Sequence, residues 1–312
     1  MSKITWLRLE SNPDVLNKFL EHLGVPQQWG ISDIISLDDE LLSMVPTPVL
    51  AVLLLFPISE KYNDYCNEQE EIAKSDNQNI DPSLYYMYQT IKNGCGTVAL
   101  IHAIANNHEH LKLYPSSVAG KFIEDTKSMS PQDKAEFLEG SNEISAALKD
   151  SVSEEVRNAP PSLEDMCPHF IALVQVNGKL YELDGRKTVP VAHGDTNPDS
   201  FLKDAARVCK EYMQRDPENL NFTALSFGVV WLLLIQQRHL NWRSLNQGLK
   251  GIYGGDRLHW EERKFSLPFL GLTTRNISVD ISINLLSSVY PSASSLQIAV
   301  VPVGTTSYGD GH

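Results

Sequence analysis

The stretch Cys167-Pro168-His169-Phe170-Ile171-Ala172-Leu173-Val174-Gln175-Val176, followed by Asn177-Gly178 and then Lys179-Leu180-Tyr181-Glu182-Leu183-Asp184-Gly185, decides the fold. A β-branched, apolar run closed by Asn-Gly reads as a strand, a two-residue turn and a returning strand. Such a short loop fixes the register. With Val176 opposite Lys179, Ile171 falls opposite Asp184. His169 lies two residues from Ile171, so it points to the same face as Asp184. The two become diagonal cross-strand neighbours, about 7–8 Å apart at the backbone. An imidazole N–H and a carboxylate can meet across that gap.

Working upstream, the run Gln89-Thr90-Ile91-Lys92-Asn93-Gly94-Cys95-Gly96-Thr97 precedes the helical pattern Val98-Ala99-Leu100-Ile101-His102-Ala103-Ile104. Glycines on both sides of Cys95 permit a sharp turn and close approach of a substrate. A thiol in the first helical turn sits at the positive end of the macrodipole, which favours the thiolate, the nucleophilic form. A lone Cys at a helix start is ordinarily a small buried hydrophobe. Here a predicted His–Asp pair lies downstream and Gln89 lies just upstream.

Each of these residue types has a job in acyl chemistry. Cys95 is the candidate nucleophile. His169 takes the thiol proton and later gives it to the leaving amine. Asp184 holds the imidazole tautomer and stabilises its charged form. A Gln89 side-chain N–H, with the Cys95 backbone N–H, is placed to receive the oxyanion. The order Gln, Cys, His, acid is that of papain-type chemistry. Order alone leaves a peptidase and a thiol-dependent acyl transferase both open.

With these residues in hand the chain resembles the ubiquitin C-terminal hydrolase family of cysteine deubiquitinases, most closely its isozyme L3 type. The matching stretches are Trp6 to Pro13, Leu54-Leu55-Phe56-Pro57-Ile58, Gln89 through Asn107, His169-Phe170 and Leu183-Asp184-Gly185-Arg186. Phe222-Thr223-Ala224-Leu225-Ser226 looks like the family's closing strand, so the resemblance covers about residues 1–226. It implies an α/β (α+β) fold, a papain-like arrangement with a helix-flanked central antiparallel sheet. It implies cleavage of small adducts or short extensions from the carboxyl-terminal glycine of ubiquitin, or of a ubiquitin-like modifier. It assigns nucleophile, general base and acid, orienting acid and oxyanion stabiliser to Cys95, His169, Asp184 and Gln89. The chain departs from the L3 pattern at Arg8, where Pro is usual, and at Gly94, where Ala is usual.

Composition is consistent with that partner. The net charge is −13. Residues 227–312 carry seven basic and five acidic residues, which leaves 19 basic and 34 acidic residues in 1–226. So acidic a domain repels nucleic acid and anionic lipid and attracts basic partners, such as the arginine-bearing tail of ubiquitin. The four cysteines, at 66, 95, 167 and 209, show neither metal spacing nor a disulfide framework. No cofactor or metal is expected, and free thiols imply a reducing, cytoplasmic compartment. Met1 to Trp6 lacks a secretory pattern, and the apolar runs at 49–56 and 225–235 are too short to span a bilayer. A monomer is expected.

Along the chain, Ser11-Asn12-Pro13 predicts a capped helix with Leu16, Phe19, Leu20 and Leu23 inward and Gly24 as its stop. A second short helix is expected after Ser36, and Val49 to Phe56 reads as a buried strand. The polar residues 62–82 read as a connector. Ser130-Pro131 opens a helix through Phe137. Residues 147–162 read as a long mobile segment, which in the resembling family crosses the active site and limits substrate size. Leu202 to Met213 reads as a late amphipathic helix. From residue 227 the character changes: three of the five Trp lie there and periodicity fades. This atypical tail, 227–312, is given no function and is expected to be poorly ordered. Two alternatives stand beside the hydrolase: a ubiquitin-binding or buffering protein with weak turnover, and a papain-like peptidase without ubiquitin preference.

Overall fold

The computed structural model describes residues 4–75, 80–157, 168–230, 279–282 and 299–302. Residues 1–240 form one compact unit and 241–312 a second. In the first, the elements run α1 (Pro13–Leu23), β1 (Trp29–Asp33), α2 (Asp39–Leu42), β2 (Val49–Pro57), α3 (Glu60–Ser75), α4 (Cys95–Ala105), α5 (His108–Leu111), α6 (Val118–Thr126), α7 (Pro131–Glu139), α8 (Asn142–Ser151), α9 (Glu154–Arg157), β3 (Pro168–Val176), β4 (Lys179–Leu183), β5 (Val191–Asp195), α10 (Phe201–Arg215) and β6 (Thr223–Val229). The second contributes an antiparallel pair, β7 (Val279–Ser282) with β8 (Ala299–Pro302). The expectation of a poorly ordered tail otherwise falls outside the described residues.

Six strands form one sheet in the order β1-β6-β2-β3-β4-β5, every neighbouring pair antiparallel. Helices cover both faces, which is why β2 reads as a continuous apolar run and not an alternating one. Ala51, Leu53 and Leu55 pack in the larger core with α1, α4 and α6 to α8. Val52, Leu54 and Phe56 pack on the opposite side with α3 and α10. Asn177 and Gly178 take φ of 47° and 79° in the predicted turn. The register follows from it, with Val176 opposite Lys179 and Ala172 opposite Leu183. The Asn12 side chain accepts from Asp14 N–H at the start of α1, and Gly24, at φ 83°, ends it. The closing strand extends past Ser226 to Val229, paired to Trp29.

Two expectations are corrected. Residues 62–82 are not a plain connector, because α3 occupies Glu60–Ser75. Tyr62 and Tyr65, one helical turn apart, are buried on the sheet; the polar Asn63 and Asp64 between them face outward and mask the stripe. Residues 147–162 do not begin as a mobile segment. Ile144, Ala147, Leu148 and Ser151 form the buried stripe of α8, and α9 follows. Residues 158–162, the rest of that segment, lie outside the described residues. No helix among the described residues is long and apolar enough to cross a membrane.

Candidate active site

The site forms where β3 begins, at one end of the sheet. α4 is buried almost all round, so its position is fixed by packing and not by an amphipathic face. Gly96 allows that packing: a Cβ there would lie 2.9 Å from Leu9 Cβ and 3.2 Å from the Phe170 ring. Gly94, at the helix start, has φ −81° and does not need glycine's freedom. A methyl at that position would meet the Ile91 carbonyl at 3.1 Å.

Cys95 is the first residue of α4 and is partly exposed. Its Sγ lies 3.9 Å from the Pro168 carbonyl. His169, 2% exposed, places Nε2 2.7 Å from Oδ1 of the fully buried Asp184. The His169 ring lies beside the Cys95 thiol, and the two groups interact electrostatically. With Nε2 on the carboxylate, Nδ1 is the nitrogen left for sulfur. Burial pushes the Cys95 thiol up. The proximity and charge of His169, with the Phe170 and Gly96 backbone N–H groups, more than reverse this and hold it below the ordinary thiol range. Burial alone would discharge His169, but the Asp184 carboxylate raises it to about 9. Burial would raise Asp184, and the charge of His169, with Lys187 and the Tyr62 hydroxyl, holds it below the usual carboxylate range. A thiol and an imidazole shifted in these opposite directions can exist as a thiolate–imidazolium pair.

Gln89 is tied to the same loop. Its backbone N–H donates to the Gly185 carbonyl at 2.7 Å. A Cβ on Gly185 would come within 3.0 Å of Gln89, so that approach depends on glycine. The Gln89 side-chain Nε2 donates to Ile91 O at 3.3 Å, and its Oε1 is buried without a partner among the described residues. An amide carries two N–H donors, so the bond to Ile91 orients the group and leaves the second N–H.

All four sequence-predicted residues therefore stand on the loops and elements that meet at this end of the sheet. Sequence reasoning missed what lies behind them. Asp184 Oδ1 also accepts from the Arg186 backbone N–H at 3.0 Å, and Oδ2 accepts from the Tyr62 hydroxyl. The Tyr86 hydroxyl donates to the Asp184 and Lys187 carbonyls at 2.6 and 2.7 Å, pinning the turn after β4. Two residues before Asp184 on the same face, the fully buried Glu182 binds Lys187 Nζ at 2.5 Å, His193 Nε2 at 2.8 Å and the Tyr212 hydroxyl at 2.8 Å. The signal that could have found the tyrosines is the spacing of Tyr62, Tyr65 and Cys66, one face of a helix.

Residues 6–214 match the family described as ubiquitin carboxyl-terminal hydrolase, family 1. A ubiquitin carboxyl-terminal hydrolase of Drosophila melanogaster is 43% identical over 223 residues, 72% of this chain and 97% of the fly protein. An Aplysia californica ubiquitin carboxyl-terminal hydrolase is 45% identical, covering 70% of this chain and 99% of its own length. Human ubiquitin carboxyl-terminal hydrolase isozyme L1 is 42% identical, covering 70% and 96%. The fold is shared with the catalytic domain of UCH37 from Trichinella spiralis, solved bound to ubiquitin vinyl methyl ester: TM-score 0.58 at 19% identity, over 73% of this chain and 98% of that one. The chain belongs to the ubiquitin carboxyl-terminal hydrolase family. It is a thiol-dependent ubiquitinyl hydrolase, a cysteine peptidase of the ubiquitin pathway.

Proposed function

We propose that this hydrolase cleaves small adducts and short extensions from the carboxyl-terminal glycine of ubiquitin, with Cys95, His169, Asp184 and Gln89 as its catalytic set. The observation that carries the reading is the buried His169–Asp184 pair, Nε2 2.7 Å from Oδ1, set beside the Cys95 thiol at the start of α4. The Cys95 thiolate attacks the glycine carbonyl carbon, and the oxygen takes up negative charge between the Gln89 amide and the Cys95 backbone N–H. The C–N bond breaks as the His169 imidazolium protonates the leaving amine. Water, deprotonated by the same imidazole, then hydrolyses the thioester and frees the thiol.

Ubiquitin, or a close modifier relative, is the partner. The excess of 34 acidic over 19 basic residues in 1–226 complements its arginine-bearing tail. The catalytic domain is residues 1–226 with 227–312 as a separate tail, the enzyme acts as a monomer in the cytoplasm, and among the isozymes it follows the L3 pattern. Size selection comes from the segment before β3. The first described residue after it, Pro168, has its carbonyl 3.9 Å from the nucleophilic sulfur. A ubiquitin carboxyl-terminal amide tested beside an unrelated peptide amide checks the substrate. Equal turnover of both would mean a general papain-like peptidase. Tight ubiquitin binding with turnover unchanged in Cys95→Ala would mean a binding protein.

A further inference from the structure

We infer that Tyr62 is a positioning residue for the reaction: its hydroxyl holds one oxygen of Asp184 so that the other stays on His169. The inference rests on the assignment of Cys95, His169 and Asp184 proposed above. A carboxylate turns easily about its last side-chain bond, because such torsions are broad. Its plane must therefore be set by its partners. Among the described residues, three hydrogen bonds reach the Asp184 carboxylate. The His169 ring and the Arg186 backbone N–H share Oδ1, and the Tyr62 hydroxyl takes Oδ2. Tyr86 bonds the backbone carbonyls of Asp184 and Lys187 and so fixes the backbone, not the carboxylate plane.

Tyr62 is itself held firmly. It is 5% exposed on α3, with its ring 5.0 Å from Phe56 and 5.9 Å from His169. The same ring wall, Phe56 edge-on at 5.7 Å, confines the imidazole. Burial and the neighbouring carboxylate push the Tyr62 phenol far up, so it remains a donor at every working pH. The other titratable groups described at this pocket are Cys66 on α3, whose thiol lies beside the Tyr62 hydroxyl, and Lys187, whose ammonium is already bonded to Glu182. Without the Tyr62 hydroxyl, Oδ2 is a buried anionic oxygen with no donor. The carboxylate then turns to solvate it and withdraws Oδ1 from the imidazole.

The test is a double-mutant cycle on full-length protein. Single-turnover hydrolysis of a ubiquitin carboxyl-terminal amide is followed in wild type, Tyr62→Phe, Asp184→Asn and the double variant. Tyr62→Phe is expected to slow the step by roughly tenfold or more, the worth of a hydrogen bond to a charged group. In the Asp184→Asn background the same change is expected to cost no more than about twofold, since the carboxylate it positions is gone. Ubiquitin affinity, measured in Cys95→Ala, should not change with Tyr62→Phe. Replacing Tyr62 by 4-aminophenylalanine, which keeps a donor at the para position, should restore the rate. Losses that multiply in the double variant, failure of the amino analogue to rescue, or full activity in Tyr62→Phe would each overturn the inference. So would loss of ubiquitin binding in Tyr62→Phe, because Tyr62 would then hold the fold and not the carboxylate. A fully active Asp184→Asn would overturn the assignment of the triad, and this inference with it. A slow Asp184→Asn beside a fully active Tyr62→Phe would overturn the inference alone.

Discussion

Asp184→Asn removes a charge while leaving most of the local geometry able to form. The Arg186 backbone N–H, 3.0 Å from Oδ1, selects the amide oxygen for that position. The oxygen can still accept from His169 Nε2. What is lost is the negative charge that raises His169 to about 9 from an ordinary 6.5. That difference corresponds to roughly 3.4 kcal/mol, or roughly 300-fold in the ratio of charged to neutral ring, and burial draws the ring lower still. The expected loss in single-turnover rate on ubiquitin amide is therefore on the order of a hundredfold. It should be smaller than that of His169→Ala, which removes the proton carrier itself. The pH profile carries a second signature. In wild type, kcat/KM should fall as pH rises through about 9, where the imidazolium loses its proton. In the variant that limb should move well below 9, because burial is then opposed only by Cys95. Stability follows the same sign. A raised histidine contributes stability that is fully present below its unfolded pKa of about 6.5 and lost as pH rises through about 9. A variant whose alkaline limb stays near 9, or whose rate drops less than threefold, would refute this account of what Asp184 does.

Other expectations follow from neighbouring features. Cys95→Ser should lose nearly all turnover, since imidazole activates a hydroxyl far less readily than a thiol; retention of even a tenth of the rate would point to another nucleophile. Glu182→Gln should cost about 3–5 kcal/mol at pH 7 in a urea titration, because it strands the buried Lys187 ammonium. Glu182 is held below the usual carboxylate range in the folded state despite its burial, by Lys187 and His193. Its contribution is thus present above the unfolded pKa of about 4.5 and lost as pH falls, and the gap between wild type and variant should narrow in acid; a gap that stays constant down to pH 3 counts against the ion pair. About ten Gly/Ser residues inserted between 158 and 167 should admit bulkier leaving groups at little closure cost. A wild-type enzyme that cleaves folded diubiquitin as fast as a small amide would argue against a size gate there. Deleting residues 231–312 should leave amide hydrolysis within a few-fold, since the last sheet contact described, Val230 N–H to Gln28 O at 3.2 Å, precedes the cut; loss by orders of magnitude would make the tail part of the catalytic unit.

What the sequence disclosed and what it hid have distinct physical causes. The Asn177-Gly178 turn admits one register, so the His169–Asp184 contact could be placed from residue spacing alone. The helix at Pro13 announced itself through its cap, its proline and its glycine. Local signals of this kind do not depend on the rest of the chain. α3 was hidden because its buried stripe is short and aromatic within an acidic stretch, and what makes Tyr62 and Tyr65 core residues is a sheet assembled from distant segments. α8 was misread for a related reason. Its inward face sets Ile144 and Leu148 beside the small Ala147 and Ser151 in an otherwise polar, charged stretch, which looks like linker until α1 packs against it. Likewise Glu182 reads as a solvent-facing strand residue, and only the arrival of Lys187, His193 and Tyr212 makes it an interior ion.

The sheet order also has a bearing on how the molecule is made. β6, the last strand of the first unit to be synthesised, is an interior one: it lies between β1 and β2. Ser226 on β6 hydrogen-bonds Ser32 on β1, 194 positions away. Until residue 229 is available, β2 offers a bare pairing edge through Ala51 to Leu55, a segment apolar on both faces. Every member of the candidate catalytic set is already synthesised by then. The nascent enzyme therefore passes through a stage that holds all of its chemistry but exposes its stickiest strand, and the closing strand acts as the guard against self-association as much as the completion of a fold.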